Sequence, residues 1–328
     1  MIITKTPFRV SFCGGGSDLP EFYEKHGGCV VSTSINKYMY ISIHPYFNPH
    51  QTVLKYSKNE IVDNISQINH TIFNCVLNEM NVDGVEITST ADVPSGTGLG
   101  SSSTFTVGLL HTLACYKGKY YSKAHLAKMA CEVEITKLGN PIGKQDQYAA
   151  ALGGLNFISF NQDGSVSYEP IMMSAATNKK LQQNLMLFYV GNTRCANTIL
   201  DEQRKNMNDA SKAQNLIKMC DHARKMKIFL EEDDLSGFGS LLNETWELKQ
   251  ILSSGITNSE INNIYERAMD AGASGGKLLG AGGGGFMLFY CEPEKQERLR
   301  IALGLRQLEF SFERDGTSVI YIGDKYWD

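Results

Sequence analysis

Asp92-Val93-Pro94-Ser95-Gly96-Thr97-Gly98-Leu99-Gly100-Ser101-Ser102-Ser103 follows a strand-like run, Val85 to Thr90, and opens a helical pattern from Ser102. In that pattern Phe105, Leu109, Leu110, Leu113 and Ala114 recur at helical spacing and predict one apolar face. Strand, glycine loop, helix is the order in which a backbone cradles a phosphate. Alternate glycines let the chain approach a polyphosphate without Cβ clashes, and the first helical amides point at the anion with the positive end of the dipole. The serines add hydroxyl ligands for phosphate oxygens or a metal. The loop is not a Walker A motif, because no Lys-Ser/Thr pair follows its last glycine. It also lies too far from the N-terminus for a dinucleotide-binding turn. A flexible Gly-Ser turn ending in an ordinary Ser N-cap has the same letters, so this stretch does not decide the function alone.

Two further glycine-rich segments flank it in the chain. The first is Thr6-Pro7-Phe8-Arg9-Val10-Ser11-Phe12-Cys13-Gly14-Gly15-Gly16-Ser17-Asp18-Leu19-Pro20. An arginine inside an apolar strand is costly unless it faces a cleft or pairs with an anion, so Arg9 is a candidate contact for phosphate or carboxylate, against a solvated strand edge. Asp18 follows three glycines that would bring backbone and carboxylate against sugar hydroxyls; the alternative is a plain turn. The other segment, Gly275 to Gly285 (GGKLLGAGGGG), lies between a helix and a strand and reads as a rigid wall beside a ligand rather than a linker. Within it Lys277 reads first as a surface charge and second as a phosphate contact.

Carboxylates supply the remaining chemistry. A helix is predicted from Ser122, as N-cap, to about Leu138, stopping at Gly139-Asn140-Pro141. Helical geometry puts Glu134 on the arc of Ala127, Ala130, Cys131 and Leu138, whereas Glu132 points away near Lys128. A buried carboxylate requires a cation or strong donors, which makes Glu134 a candidate magnesium ligand. Asp146 stands near the start of another helical stretch, Ala149 to Ala151, where it reads as a helix cap or as the group that orients or deprotonates an attacking hydroxyl. None of the seven histidines falls in an HxH or HExxH pattern.

The chain has 328 residues, 42% of them hydrophobic and 20% charged, which suits two packed α+β domains, expected at 1–180 and 181–328. The polar stretch Met173 to Gln183 is the expected junction. Strands are predicted at Val30 to Pro45, Phe157 to Phe160, Leu185 to Val190, Phe286 to Cys291 and Ser318 to Ile322, with a hairpin turn at Gln162 to Ser165. Helices are predicted at Ala213 to Leu230, Leu241 to Leu252 and Ser259 to Ala271. The net charge of -4 and the lack of a basic tract argue against a nucleic-acid partner and for small molecules. Eight cysteines are scattered without metal-ligand spacing, and neither a signal-peptide core nor a membrane-length apolar run occurs, so a cytoplasmic location without membrane partners is expected. A homodimer is compatible with these features.

Together PFRVSFCGGGSDLP, PSGTGLGSSS and KLLGAGGGG resemble the three ordered motifs of the GHMP kinases, over nearly the whole chain. Within that superfamily, GGGSDLP, GNPIGKQDQYAAALGG, WELK (Trp246 to Lys249) and GGKLLGAGGGGF resemble the D-glycero-D-manno-heptose 7-phosphate kinases. The resemblance implies a ribosomal-S5-like N-terminal domain, a ferredoxin-like C-terminal domain and a site between them that uses ATP and Mg²⁺ to phosphorylate an anomeric hydroxyl. It implies that Pro94, Gly96, Thr97, Gly98, Leu99, Gly100, Ser101, Ser102 and Ser103 wrap the triphosphate. Ser102 and Glu134 would hold Mg²⁺, Asp146 would act on the acceptor hydroxyl and Arg9 would stabilise the reacting groups. Asp18, Gly15, Gly16 and Gly283 would meet the sugar, with Arg194 and Lys277 as candidates for its distal phosphate. Gly15-Gly16 replaces the Glu-His pair that galactokinases carry before this aspartate, which argues against galactose. Another sugar kinase of the superfamily, fucokinase-like, and a non-catalytic sugar and ATP sensor on the same fold are the alternatives. A nicotinamide oxidoreductase is remote, because the first glycines lead into Asp18 rather than a helix.

Overall fold

The computed structural model describes residues 1–191, 196–207 and 209–323. Its strands are β1 (Ile2–Cys13), β2 (Gly28–Pro45), β3 (Thr52–Lys55), β4 (Asn59–Val62), β5 (Val85–Ala91), β6 (Leu155–Phe160), β7 (Val166–Pro170), β8 (Leu185–Tyr189), β9 (Gly275–Leu278), β10 (Phe286–Tyr290), β11 (Gln307–Leu308), β12 (Phe312–Glu313) and β13 (Ser318–Ile322). They form a nine-stranded sheet along β13-β1-β2-β5-β3-β4, with β6, β7 and β12 joined through β2, and a four-stranded sheet ordered β11-β8-β10-β9. The long strand β2, dense in β-branched and aromatic residues, is the spine of the first sheet. Its first half pairs with β6, its second half with β5, and β1 runs antiparallel along it from Ile2↔Ile43 to Cys13↔Val31.

Strand alternation decides what β1 presents. Phe8, Val10 and Phe12 are fully buried in one apolar cluster together with the second sheet and its helices, so Arg9 and Ser11 between them face the other way. Helix Ser101–Tyr116 is buried on nearly every side, Thr104, Thr106 and Thr112 included, where the sequence pattern predicted a single apolar face. It packs on β1 and β2 and on helices Lys123–Cys131 and Gln145–Leu152, with its first turn and its end partly open.

Ser122 caps helix Lys123–Cys131 by accepting from the His125 amide at 3.2 Å, and the helix then widens into a π-turn, Glu132–Lys137. The predicted junction, Met173 to Gln183, is largely a helix, Ala175–Asn184, capped by Ser174. The second sheet follows it. The chain then returns, with β12 pairing to β2 and β13 to β1, so strand pairing gives the last residues to the first sheet and not to the second half of the chain. The return leaves both chain halves in contact with β1.

The three glycine-rich segments meet at this seam. The Arg9 amide donates to Leu99 O at 3.2 Å and the Phe286 amide to Thr97 O at 3.1 Å, which stitches the first and third segments to the second. Gly98, at φ +83°, passes so close to the third segment that a Cβ there would lie 2.6 Å from Leu279 O. Only glycine allows that approach. Among the described residues no helix is long and apolar enough to cross a membrane.

Candidate active site

A cavity of ≈ 310 Å3 lies at this seam, walled by the loops of all three segments. Arg9 is 3% exposed, and its guanidinium grips Asp146 with both prongs, Nε to Oδ1 at 2.7 Å and Nη2 to Oδ2 at 2.8 Å. Its remaining nitrogen, Nη1, donates to Gly98 O at 2.7 Å. A planar fork on a carboxylate fixes both partners in orientation, beyond what a lysine could do. Asp146 is in the first turn of helix Gln145–Leu152 but does not cap it; its carboxylate is committed to Arg9.

Asp18 lies beside this pair. Oδ1 accepts from the Gly16 amide and from Gln145 Nε2, and Oδ2 from the Gln145 amide, at 3.1, 3.2 and 3.1 Å. Burial pushes its carboxyl above the usual range, opposed by the donated backbone bonds. The turn before that helix closes on Asp18 so tightly that a Cβ at Gly143 would lie 1.9 Å from Asp18 Oδ2.

Gly96, Gly98, Gly100 and Ser101 to Ser103 line the opposite wall. The N-cap of helix Ser101–Tyr116 is Gly100, with no side chain capping it, so the serines form the first turn and the Ser N-cap alternative fails. The first amides of a helix have no intrahelical acceptor, and here they border the cavity. Ser102 Oγ donates to Glu134 Oε1 at 2.7 Å, and Gln147 Nε2 to Oε2 at 2.8 Å. Glu134 is fully buried, off the cavity wall itself, and burial pushes its carboxyl up. Among the described residues no three His, Cys, Asp or Glu side chains cluster as a metal cage. One buried carboxylate behind one wall hydroxyl fits Mg²⁺, which is held by few protein ligands and by substrate phosphates rather than by a cage.

Of the sugar-side candidates, Gly15, Gly16 and Asp18 line the cavity. Gly283 does not appear on its wall; its amide donates to Ile256 O at 2.9 Å, while Gly280, Ala281, Gly282 and Gly284 form the rim. Pro94, Thr97 and Leu99 do not line the cavity: Thr97 and Leu99 are buried, and Pro94 is exposed with its carbonyl accepting from Thr97 Oγ1 at 2.9 Å. Arg194 lies outside the described residues. Lys277 is neither a surface charge nor on the cavity wall: it is fully buried and donates to Phe12 O at 2.9 Å, a tie between β9 and β1. Burial pushes its amine down to about 8.

Lys249, absent from the expected site residues, lines the cavity while only 6% exposed. Helix Phe238–Gln250 buries Leu241, Leu242, Thr245, Trp246 and Lys249 on one stripe. A lysine continuing an apolar helical stripe is the same signal that singled out Arg9 in its strand, and it was available in the sequence.

A family model for the N-terminal domain of GHMP kinases matches residues 55–154, and one for their C-terminal domain matches 226–306. A D-glycero-alpha-D-manno-heptose 7-phosphate kinase from Campylobacter jejuni is 31% identical over 332 residues, covering 96% of this chain and 97% of that protein. The crystal structure of a D-glycero-D-manno-heptose 1-phosphate kinase from Bacteriodes thetaiotaomicron superposes with a TM-score of 0.81 at 26% identity, covering 99% of this chain and all of that one. An L-fucokinase/L-fucose-1-P guanylyltransferase from Bacteroides fragilis is 30% identical over 226 residues, 66% of this chain and 23% of that protein.

Proposed function

The chain belongs to the GHMP kinases, and from that premise we propose that it moves the γ-phosphoryl group of ATP to the anomeric hydroxyl of D-glycero-D-manno-heptose 7-phosphate, giving the 1,7-bisphosphate. The observation that carries the reading is the Arg9–Asp146 fork, held between a helix-opening phosphate loop and the buried Asp18 in one cavity. Phosphoryl transfer needs positioning and charge stabilisation more than covalent chemistry. The Gly96 to Ser103 loop offers amides and a helix dipole to the triphosphate. Asp146 keeps lone pairs beyond those that Arg9 occupies, and through one of them it accepts the proton of the acceptor hydroxyl or orients it. Arg9, fixed by Asp146 and Gly98 O, stands where charge accumulates on the transferring group. Asp18 and the Gly15-Gly16 backbone take sugar hydroxyls, the open glycines leaving room for a larger sugar than galactose.

Ser102 and Glu134 would hold Mg²⁺, which supplies charge neutralisation on phosphate oxygens when bound. Heptose is favoured over fucose because the heptose phosphate kinase matches nearly end to end at 31% identity, whereas the fucokinase matches either leave a third of this chain uncovered or fall to 26% identity. A cytoplasmic location, a supply of nucleotide-activated heptose to surface polysaccharide and a division into two domains near residue 180 belong to the same proposal.

The test is ADP release with Mg-ATP and a panel of sugars and sugar phosphates, with the phosphorylated position read by phosphorus NMR. A new anomeric phosphate on heptose 7-phosphate is expected. Turnover with another sugar alone would retain the kinase and replace the substrate, and silence across the panel despite ATP binding would favour the sensor.

A further inference from the structure

Lys249 is a buried cation that the reaction as described does not use. Its Nζ donates to Gly280 O at 2.6 Å and to Leu278 O at 3.3 Å, which occupies two of its three N–H groups. Among the described residues no carboxylate lies within ion-pair distance of it. Carbonyls do not neutralise an ammonium, and a charge buried without a counterion is expensive. Burial pushes its amine far below the ordinary lysine range, with Lys277 and Arg9 acting in the same direction and Asp146 and Asp18 against it. A purely structural lysine would belong away from the cavity, as Lys277 does. Lys249 instead reaches the wall through the third glycine segment, in the electrostatic reach of the Arg9–Asp146 fork.

Taking the site as a phosphoryl-transfer site, we propose that Lys249 is a substrate-contacting residue whose ammonium donates its third N–H to an oxygen of a phosphoryl group. Two sources share this chemistry: the group transferred from ATP and the phosphate already on the sugar. A neutral side chain of equal length, Lys249→Met, keeps the packing and removes the donor. Loss of one charged hydrogen bond changes the affected constant by about 10- to 100-fold. A fall in kcat at unchanged KM values assigns Lys249 to the transferred group. A rise in KM for the sugar phosphate, with the unphosphorylated sugar unaffected, assigns it to the sugar's own phosphate. All constants within about threefold of wild type, in a variant that melts as a folded protein, overturn the proposal.

A second measurement uses the unaltered protein and separates a contact from a tie between helix and loop. Trace acetylation by acetic anhydride, read by peptide mass spectrometry, is expected to modify Lys249 in the free enzyme, with exposed Lys58 as internal reference. Mg-ATP or heptose 7-phosphate should protect it at least fivefold. Labelling that no ligand changes, or a Lys249 unreactive throughout, refutes the contact even if Mg-ATP still raises the melting temperature and the kinase reading stands. Absence of any Mg-ATP effect on melting would remove the kinase reading and this inference together.

Discussion

Asp146→Asn is the perturbation that bears most directly on the chemistry. The asparagine keeps one carbonyl oxygen for Arg9 Nε, now 2.7 Å from Oδ1, but puts an NH₂ where Oδ2 accepts from Nη2 at 2.8 Å. Two donors then face each other, and Arg9, 3% exposed, loses its counterion. A charged hydrogen bond contributes about 1.5–3 kcal/mol. Asp146 is a quarter exposed, so solvent screening brings the expected loss of stability to about 2 kcal/mol, which a domain of this size survives. Catalysis should suffer far more, because the amide cannot take a proton: about 10²- to 10⁴-fold in turnover. The assay is coupled ADP release at saturating substrates, with nucleotide affinity by calorimetry and stability by thermal melting. ATP affinity should stay within about threefold, since the triphosphate loop does not depend on the carboxylate. Turnover within tenfold of wild type would refute the role of Asp146. A parallel fall in ATP affinity and turnover would show instead that Asp146 acts by holding Arg9 against Gly98.

Gly143→Ala tests the sugar side without removing a charged group. Its methyl would fall 1.9 Å from Asp18 Oδ2, so either the loop or the carboxylate must move; KM for the sugar should rise about tenfold or more with ATP affinity unchanged, and unaltered sugar kinetics would remove Asp18 from the sugar site. Lys277→Met tests the buried tie through pH. The folded amine titrates near 8 and the unfolded one near 10.5, so the unfolded chain binds more protons across that window, and the contribution of Lys277 to stability grows as pH rises through it. The stability difference between wild type and variant, from denaturant titrations at pH 7.5 and 9.5, should shift in favour of wild type at the higher pH; a constant difference would contradict it.

Where periodicity carried physical meaning, the sequence was legible. Helix Ser259–Ala271 and strand Ser318–Ile322 occur where the pattern placed them, because caps and alternation are local signals. Glu134 turned inward and Glu132 outward, to a side chain 55% exposed, as the helical wheel required, but Glu132 pairs with Lys137 and not with the expected Lys128. The π-turn that carries Glu134 was not readable, since an extra residue per turn leaves no mark in composition. Nor was the return of β12 and β13 to the first sheet, which depends on pairings hundreds of residues apart. Lys277 misled for a related reason. Preceded by two glycines it looks solvated, yet in β9 those glycines pack beneath helix Phe238–Gln250 and on β10, where a Cβ at Gly275 would lie 1.9 Å from Gly239 O. Lys249 is legible as well, because it continues an apolar helical stripe as Arg9 interrupts an apolar strand.

The charges on the cavity wall bear on how such a site can hold a nucleotide at all. Arg9 and Lys249 stand against Asp18 and Asp146, so the formal charges of the wall cancel. Burial drives Asp18 and Lys249 each toward its neutral form, which keeps the balance near zero rather than tipping it positive. Side chains of this wall therefore cannot offset a triphosphate. The compensation left is the backbone, through helix-opening amides and glycine loops that let a polyphosphate come within hydrogen-bonding distance, and a cation that arrives with the nucleotide. On this argument the many glycines and the sparse Ser102–Glu134 pair have one cause. A wall rich in lysine would bind the anion without metal, but it would hold the ground state as firmly as the transition state. A neutral wall with one fixed guanidinium reserves its positive charge for the place where the phosphoryl group moves.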